Sequence, residues 1–166
     1  MLTLAVRMPD VQWLWAGGEP EAVIHWEGRL RREGIENLKL LGFVPNERLP
    51  LVQAACEVLL MPYERRIAVS SGGDTAATAS PMKLFEYLAA GRAILASDLP
   101  VLREVLNETN AQLLPPEEPE VWREALLRLK KYPERRARLG QQARQDAQRY
   151  SWTERARRAL EGLEIG

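Results

Sequence analysis

The chain has 166 residues, 46% hydrophobic and 28% charged, with 23 Lys plus Arg against 23 Asp plus Glu. That is the makeup of a globular protein with a packed core, and the length suits one compact domain over residues 1–166. A formal net charge of zero speaks against a partner held by bulk charge, so no nucleic-acid partner is expected and any membrane contact is peripheral.

One cysteine, Cys56, makes no internal disulfide or multi-cysteine metal site. One histidine, His25, leaves little for a zinc centre or a histidine-centred triad. The N-terminal run has neither a basic start nor a long apolar stretch, so the expected compartment is the cytoplasm.

In chain order, residues 11–16 read as a strand closed by Gly17-Gly18. Residues 19–33 place Val23, Trp26 and Leu30 at helical spacing, with Gly34 as the stop. Residues 38–41 are a second strand, and Asn46 is the expected N-cap of a short helix ending near Ala55. Residues 58–61 are an unbroken apolar strand stopped by Pro62. Residues 63–79 lose all periodicity and read as a long loop, of the kind that is usually functional or disordered. A helix follows over residues 80–91, opened by Ser80-Pro81 and closed by Gly91. Residues 93–96 are a strand, Asp98 is the expected cap of the next helix, and residues 111–114 are the last strand. From Glu117 onward the chain is helical and Arg-rich, with breaks at Pro133 and Ser151; it reads as a solvated face.

Strands apolar throughout are expected to be buried on both faces, as in a parallel sheet covered by helices. The reading is an α/β, Rossmann-like three-layer domain with a mostly parallel sheet of about five strands and a helical C-terminal tail.

In such a sheet, ligands bind in the loops at the carboxyl ends of the strands. Among these the stretch SPMKLFEYLAAG, residues 80–91, is the most informative. Its helix is apolar nearly all round, through Met82, Leu84, Phe85, Leu88 and Ala89, which predicts a central, mostly buried helix. Lys83, Glu86 and Tyr87 share one stripe. Ser80 as cap, Pro81 at the first position and the free N–H groups of the first turn make an anion site. With a glycine-containing loop before it and a carboxylate further along, the segment suits a nucleoside diphosphate, the carboxylate accepting from ribose hydroxyls. Spacing alone favours the plainer reading of Lys83 and Glu86 as a helix-surface salt pair. Gly17-Gly18 does not complete a dinucleotide-fold glycine pattern, so no nicotinamide or flavin cofactor is expected. Asp74 reads more readily as a solvated turn residue than as a ligand to sugar or metal. His25 and Cys56 read as structural.

Residues 80–105 resemble the donor-binding signature of family 4 glycosyltransferases of the GT-B fold. Residues 9–18 resemble the second strand of that family's C-terminal domain, residues 37–45 the segment beside the nucleotide base, and Ser151-Trp152 the start of its final helix. The resemblance implies that Ser80, Pro81, Met82, Lys83 and Leu84 hold the donor diphosphate, that Glu86 binds the ribose, and that Gly42, Phe43 and Val44 lie near the base. It further implies a sugar or phosphate loop containing Gly72, Gly73, Asp74 and Thr78. The family often carries two glutamates with seven residues between them; Glu86 matches the second, and Thr78 stands at the first. The family domain also opens with a strand carrying an Arg, followed shortly by a Lys, and neither has a counterpart here.

What the resemblance implies is the nucleotide-sugar-binding half of a retaining glycosyltransferase. It would move a hexosyl group to a glycan, lipid or small-molecule acceptor, without a metal. The acceptor-binding N-terminal domain is its missing partner, and this chain by itself is expected to be inactive. Two rivals share the architecture: a non-catalytic binding or assembly module, and half of a sugar-nucleotide epimerase.

Overall fold

The computed structural model describes residues 1–64 and 82–160, with the side chains of residues 155, 158 and 159 left aside. The chain forms two compact units, Met1–Leu51 and Val52–Gly166.

The first unit opens with α1 (Leu2–Arg7), which buries Leu4 and Ala5. β1 (Trp13–Ala16) and β2 (Leu38–Gly42) pair in parallel, Trp13 opposite Leu38 and Trp15 opposite Leu40. A parallel pair needs a crossover, which here is α2 (Pro20–Glu33). Pro20 stands in its first turn, and Gly34 ends it in the left-handed conformation, its N–H bonded to the carbonyls of Arg31 and Leu30. Leu4, Ala5, Met8, Trp13, Leu30, Ile35 and Leu38 are the buried apolar residues of this unit. Asn37 ties its first elements together: its side-chain amide donates to the carbonyls of Ala5, Met8 and Val11 at 2.9–3.0 Å.

α3 (Leu49–Ala55) crosses the boundary between the units. It starts three residues after Asn46, because the N–H groups of Arg48 and Leu49 both bond to the carbonyl of Pro45. Asn46 is therefore not its cap. The second unit holds β3 (Val58–Met61), α4 (Met82–Ala90), β4 (Ala93–Ser97), α5 (Pro100–Arg103) and β5 (Gln112–Leu114). Helices α6 (Pro119–Lys131), α7 (Pro133–Ala147) and α8 (Trp152–Leu160) complete it, with a 3₁₀ turn at Gln148–Tyr150 before α8. Pro133 and Ser151 mark the breaks, the Ser151 Oγ accepting from the Glu154 N–H at 3.2 Å. None of the described helices is long and apolar enough to cross a membrane.

The five described strands are all in parallel pairs, as the apolar runs predict, but they divide between two sheets. One has the order β1-β2 and the other β3-β4-β5. Burial on both faces holds in full for β4 alone, where all five residues are buried. β4 is flanked by a strand on each side, whereas β1 and β2 leave Leu14, Trp15 and Leu41 more than a third exposed. Around β4 the core gathers Met61, Leu84, Leu88, Leu102, Leu106 and Ala143.

Candidate functional site

β3 and β4 are parallel neighbours, Met61 opposite Ala96, so the carboxyl end of β4 lies beside that of β3, which runs on into Pro62 and Tyr63. Ser97, fully buried, donates from its hydroxyl to the Tyr63 carbonyl at 2.6 Å and so pins the chain just before residue 65. Ser80, Pro81, Gly72, Gly73, Asp74 and Thr78 lie outside the described residues.

Over its described residues, Met82–Ala90, α4 buries a narrower face than its composition predicts. Leu84 and Leu88 are buried, while Met82 is 76% exposed and Lys83, Glu86 and Ala89 are exposed as well. The expectation of a mostly buried helix is corrected accordingly: one apolar stripe meets the core around β4, and the charged stripe faces outward. No ion pair joins Lys83 to Glu86 in this structure. Instead, Glu86 Oε2 accepts from the Nε2 amide of Gln53, on α3, at 3.5 Å.

Gln53 is only 8% exposed. Sequence reading passed over it, although a lone glutamine among Leu51, Val52, Ala54 and Ala55 is the signal that would have found it. Next to this pair sits Tyr87, whose phenol is pushed above its ordinary value, first by burial and then by Tyr63, Cys56 and Glu86 nearby. Burial also raises the Cys56 thiol, against the opposing charge of Arg92, so this cysteine is not an activated nucleophile. It donates to the Val52 carbonyl at 3.3 Å.

At the end of β4, Asp98 does not cap α5, which has Leu99 at its N-cap position and no side-chain cap. Asp98 instead holds Arg103 through both carboxylate oxygens, the second at 3.0 Å, and Glu108 joins from the other side at 3.1 Å. These charges are spent on one another.

In the first unit, considered alone, Gly42 ends β2 with φ of 61° and its carbonyl accepts from the Gly17 N–H at 2.7 Å. Phe43 follows, 79% exposed, and Val44 is half-buried. His25 stands edge-on to Trp26, with ring centroids 5.8 Å apart, and Trp26 also meets Trp15 at 5.5 Å and the Arg29 guanidinium at 5.2 Å. His25 is thus part of an aromatic cluster. Among the described residues, no group of three or more His, Cys, Asp or Glu side chains stands together as a metal site would require.

Residues 2–131 match the family model described as glycosyl transferases group 1. No curated protein matches the chain. Among solved structures, sucrose-phosphate synthase (tll1590) from Thermosynechococcus elongatus superposes with a TM-score of 0.74 and 21% identity, over 96% of this chain and 40% of that one. Anabaena Alr3699/HepE in complex with UDP-glucose gives 0.70 and 21%, over 93% of this chain and 42% of that one. The C-terminal domain of the group 1 glycosyl transferase LpcC from Francisella tularensis gives 0.61 and 10%, over 89% of this chain and 92% of that domain. The chain therefore spans about two-fifths of the first two and nearly all of an isolated C-terminal domain. These likenesses carry the fold, a GT-B-type, Rossmann-like α/β architecture, and the family model carries membership: the chain belongs to the group 1 glycosyltransferases.

Proposed function

We propose that this chain is the donor-binding half of a retaining glycosyltransferase that moves a hexosyl group from a nucleoside diphosphate sugar to a glycan, lipid or small-molecule acceptor. The observation that carries the reading is the outward-facing Glu86 carboxylate, unpaired with Lys83 and held by an amide rather than by a cation. A carboxylate satisfied by a cation is a poor acceptor for a ligand, whereas this one keeps its charge for charge-assisted hydrogen bonds from a ribose diol.

In this reading Ser80, Pro81, Met82, Lys83 and Leu84 hold the diphosphate, through the backbone N–H groups of the four residues other than Pro81 and the positive end of α4, with the Lys83 side chain adding charge. No metal is part of this reading. Residues 72–78, which precede the helix in sequence, contact sugar or phosphate. The acceptor site and the groups that assist bond cleavage belong to a second domain, so the 166-residue chain alone transfers no sugar at a useful rate. A cytoplasmic location accords with the single free thiol, Cys56.

Calorimetric titration with UDP and with GDP tests the reading. Saturable binding to one of them is expected, and Glu86→Ala should weaken it by roughly ten- to a hundred-fold, the loss of one or two charge-assisted hydrogen bonds. Absence of saturable binding to either nucleotide would return the chain to the class of assembly modules.

A further inference from the structure

We propose that Gln53 is a positioning residue for Glu86, its carboxamide fixing one carboxylate oxygen so that the other is presented to the ribose hydroxyls. This rests on the ribose-binding reading of Glu86 given above and adds to it the element that sets the carboxylate's orientation.

Three observations converge. First, Gln53 is 8% exposed on a helix whose neighbouring positions are Leu51, Val52, Ala54 and Ala55. A buried carboxamide is costly without a hydrogen-bond partner, and the side-chain partner of its Nε2 is Glu86 Oε2. Second, Glu86 lies on the exposed side of α4 and forms no ion pair among the described residues, so a long flexible side chain would sample several rotamers without this contact. Third, the donor is neutral. An amide orients a carboxylate while leaving its charge intact, where a Lys or Arg in its place would compete with the ligand. The 3.5 Å separation is that of a contact able to shorten when a ligand draws the carboxylate into place.

The test is a cycle of ligand and protein changes on the full 166-residue chain. Wild type, Gln53→Met and Glu86→Ala are each titrated with the nucleoside diphosphate that binds, UDP or GDP, and with its 2′,3′-dideoxy counterpart. Gln53→Met keeps volume and removes the donor. It should weaken binding of the ribonucleotide about five-fold, the value of one ordinary hydrogen bond, and leave the dideoxynucleotide unchanged. Glu86→Ala should show the same selectivity with a larger loss. For a readout independent of any folding defect, the Gln53 side-chain amide resonance of wild type should shift on adding the ribonucleotide and stay put with the dideoxynucleotide. Equal losses for both ligands in Gln53→Met, or a silent Gln53 resonance, would overturn the positioning role while a selective Glu86→Ala loss kept the ribose reading intact. A Glu86→Ala loss that ignores the ribose hydroxyls would overturn both, as would no saturable binding at all.

Discussion

Gly140, in the middle of α7, packs against the carbonyl of Gly91, and a Cβ placed on Gly140 would stand 2.3 Å from that oxygen. Gly91 is itself held at φ of 65°, closing α4 with its N–H bonded to the Leu88 carbonyl at 3.1 Å. The helix carrying Glu86 therefore ends on a close contact with α7 that only glycine permits at position 140, while Gly91 supplies the positive φ of the turn. Gly140→Ala must push α7 off the turn between α4 and β4. We expect a loss of about 1–3 kcal/mol, typical of overpacking, visible as a melting temperature lower by several degrees. An unchanged melt would mean that α7 is free to shift.

Asn37 does for the first unit what those glycines do for the second. Asn37→Ala strips the donor from the carbonyls of Ala5, Met8 and Val11. Leaving partly buried carbonyls unmet costs about 1–3 kcal/mol. Hydrogen exchange should accelerate in α1 and β1 while the amides of β4 keep their protection. Faster exchange spread evenly through both units would contradict the local role.

Asn110 is buried beside Asp146 of α7, donating to its Oδ2 at 2.9 Å and to the Val105 carbonyl at 3.1 Å, while its own Oδ1 accepts from the Asn107 N–H. Asn110→Ala leaves a buried carboxylate with one less donor. A destabilisation of about 2–3 kcal/mol is expected, and Asp146→Asn in the same background should recover part of it.

The alkaline side of the stability profile should carry the mark of Cys56, Tyr63 and Tyr87. Each is shifted upward from its ordinary value, 9.0 for the thiol and 10.0 for the phenols, with burial the leading cause. A raised value means that the folded chain holds its proton where the unfolded chain has released it. Their contribution is complete below pH 9 and is lost as pH climbs past the ordinary values. Melting temperatures measured up the alkaline range should hold level to about pH 9 and then fall, and Tyr87→Phe should flatten the fall beyond pH 10. A wild-type profile level to the end of that range would contradict these burial effects.

What the sequence by itself determined is the placement of the elements. β3 matches its apolar run residue for residue, α2 stops at Gly34, α4 at Gly91, and α6 gives way to α7 at Pro133. Each of those signals is local: an apolar run, a residue free to adopt positive φ, a ring that lacks an N–H. The family was legible as well, because residues 80–105 carry enough identities to resemble one signature. Helix starts that rely on a side-chain cap were less legible. Asn46 and Asp98 both had a competing partner, the Pro45 carbonyl taking the N–H groups beyond Asn46 and Arg103 taking the Asp98 carboxylate. Tertiary structure alone decided which strands share a sheet, since five apolar runs are compatible with many pairings until their neighbours are in place. It also decided that α4 buries one stripe rather than its whole surface, because the core offers that helix one side only. The contact between Gln53 and Glu86 spans 33 positions. Nothing within a few residues of either side chain encodes it, and it exists only once α3 and α4 come together.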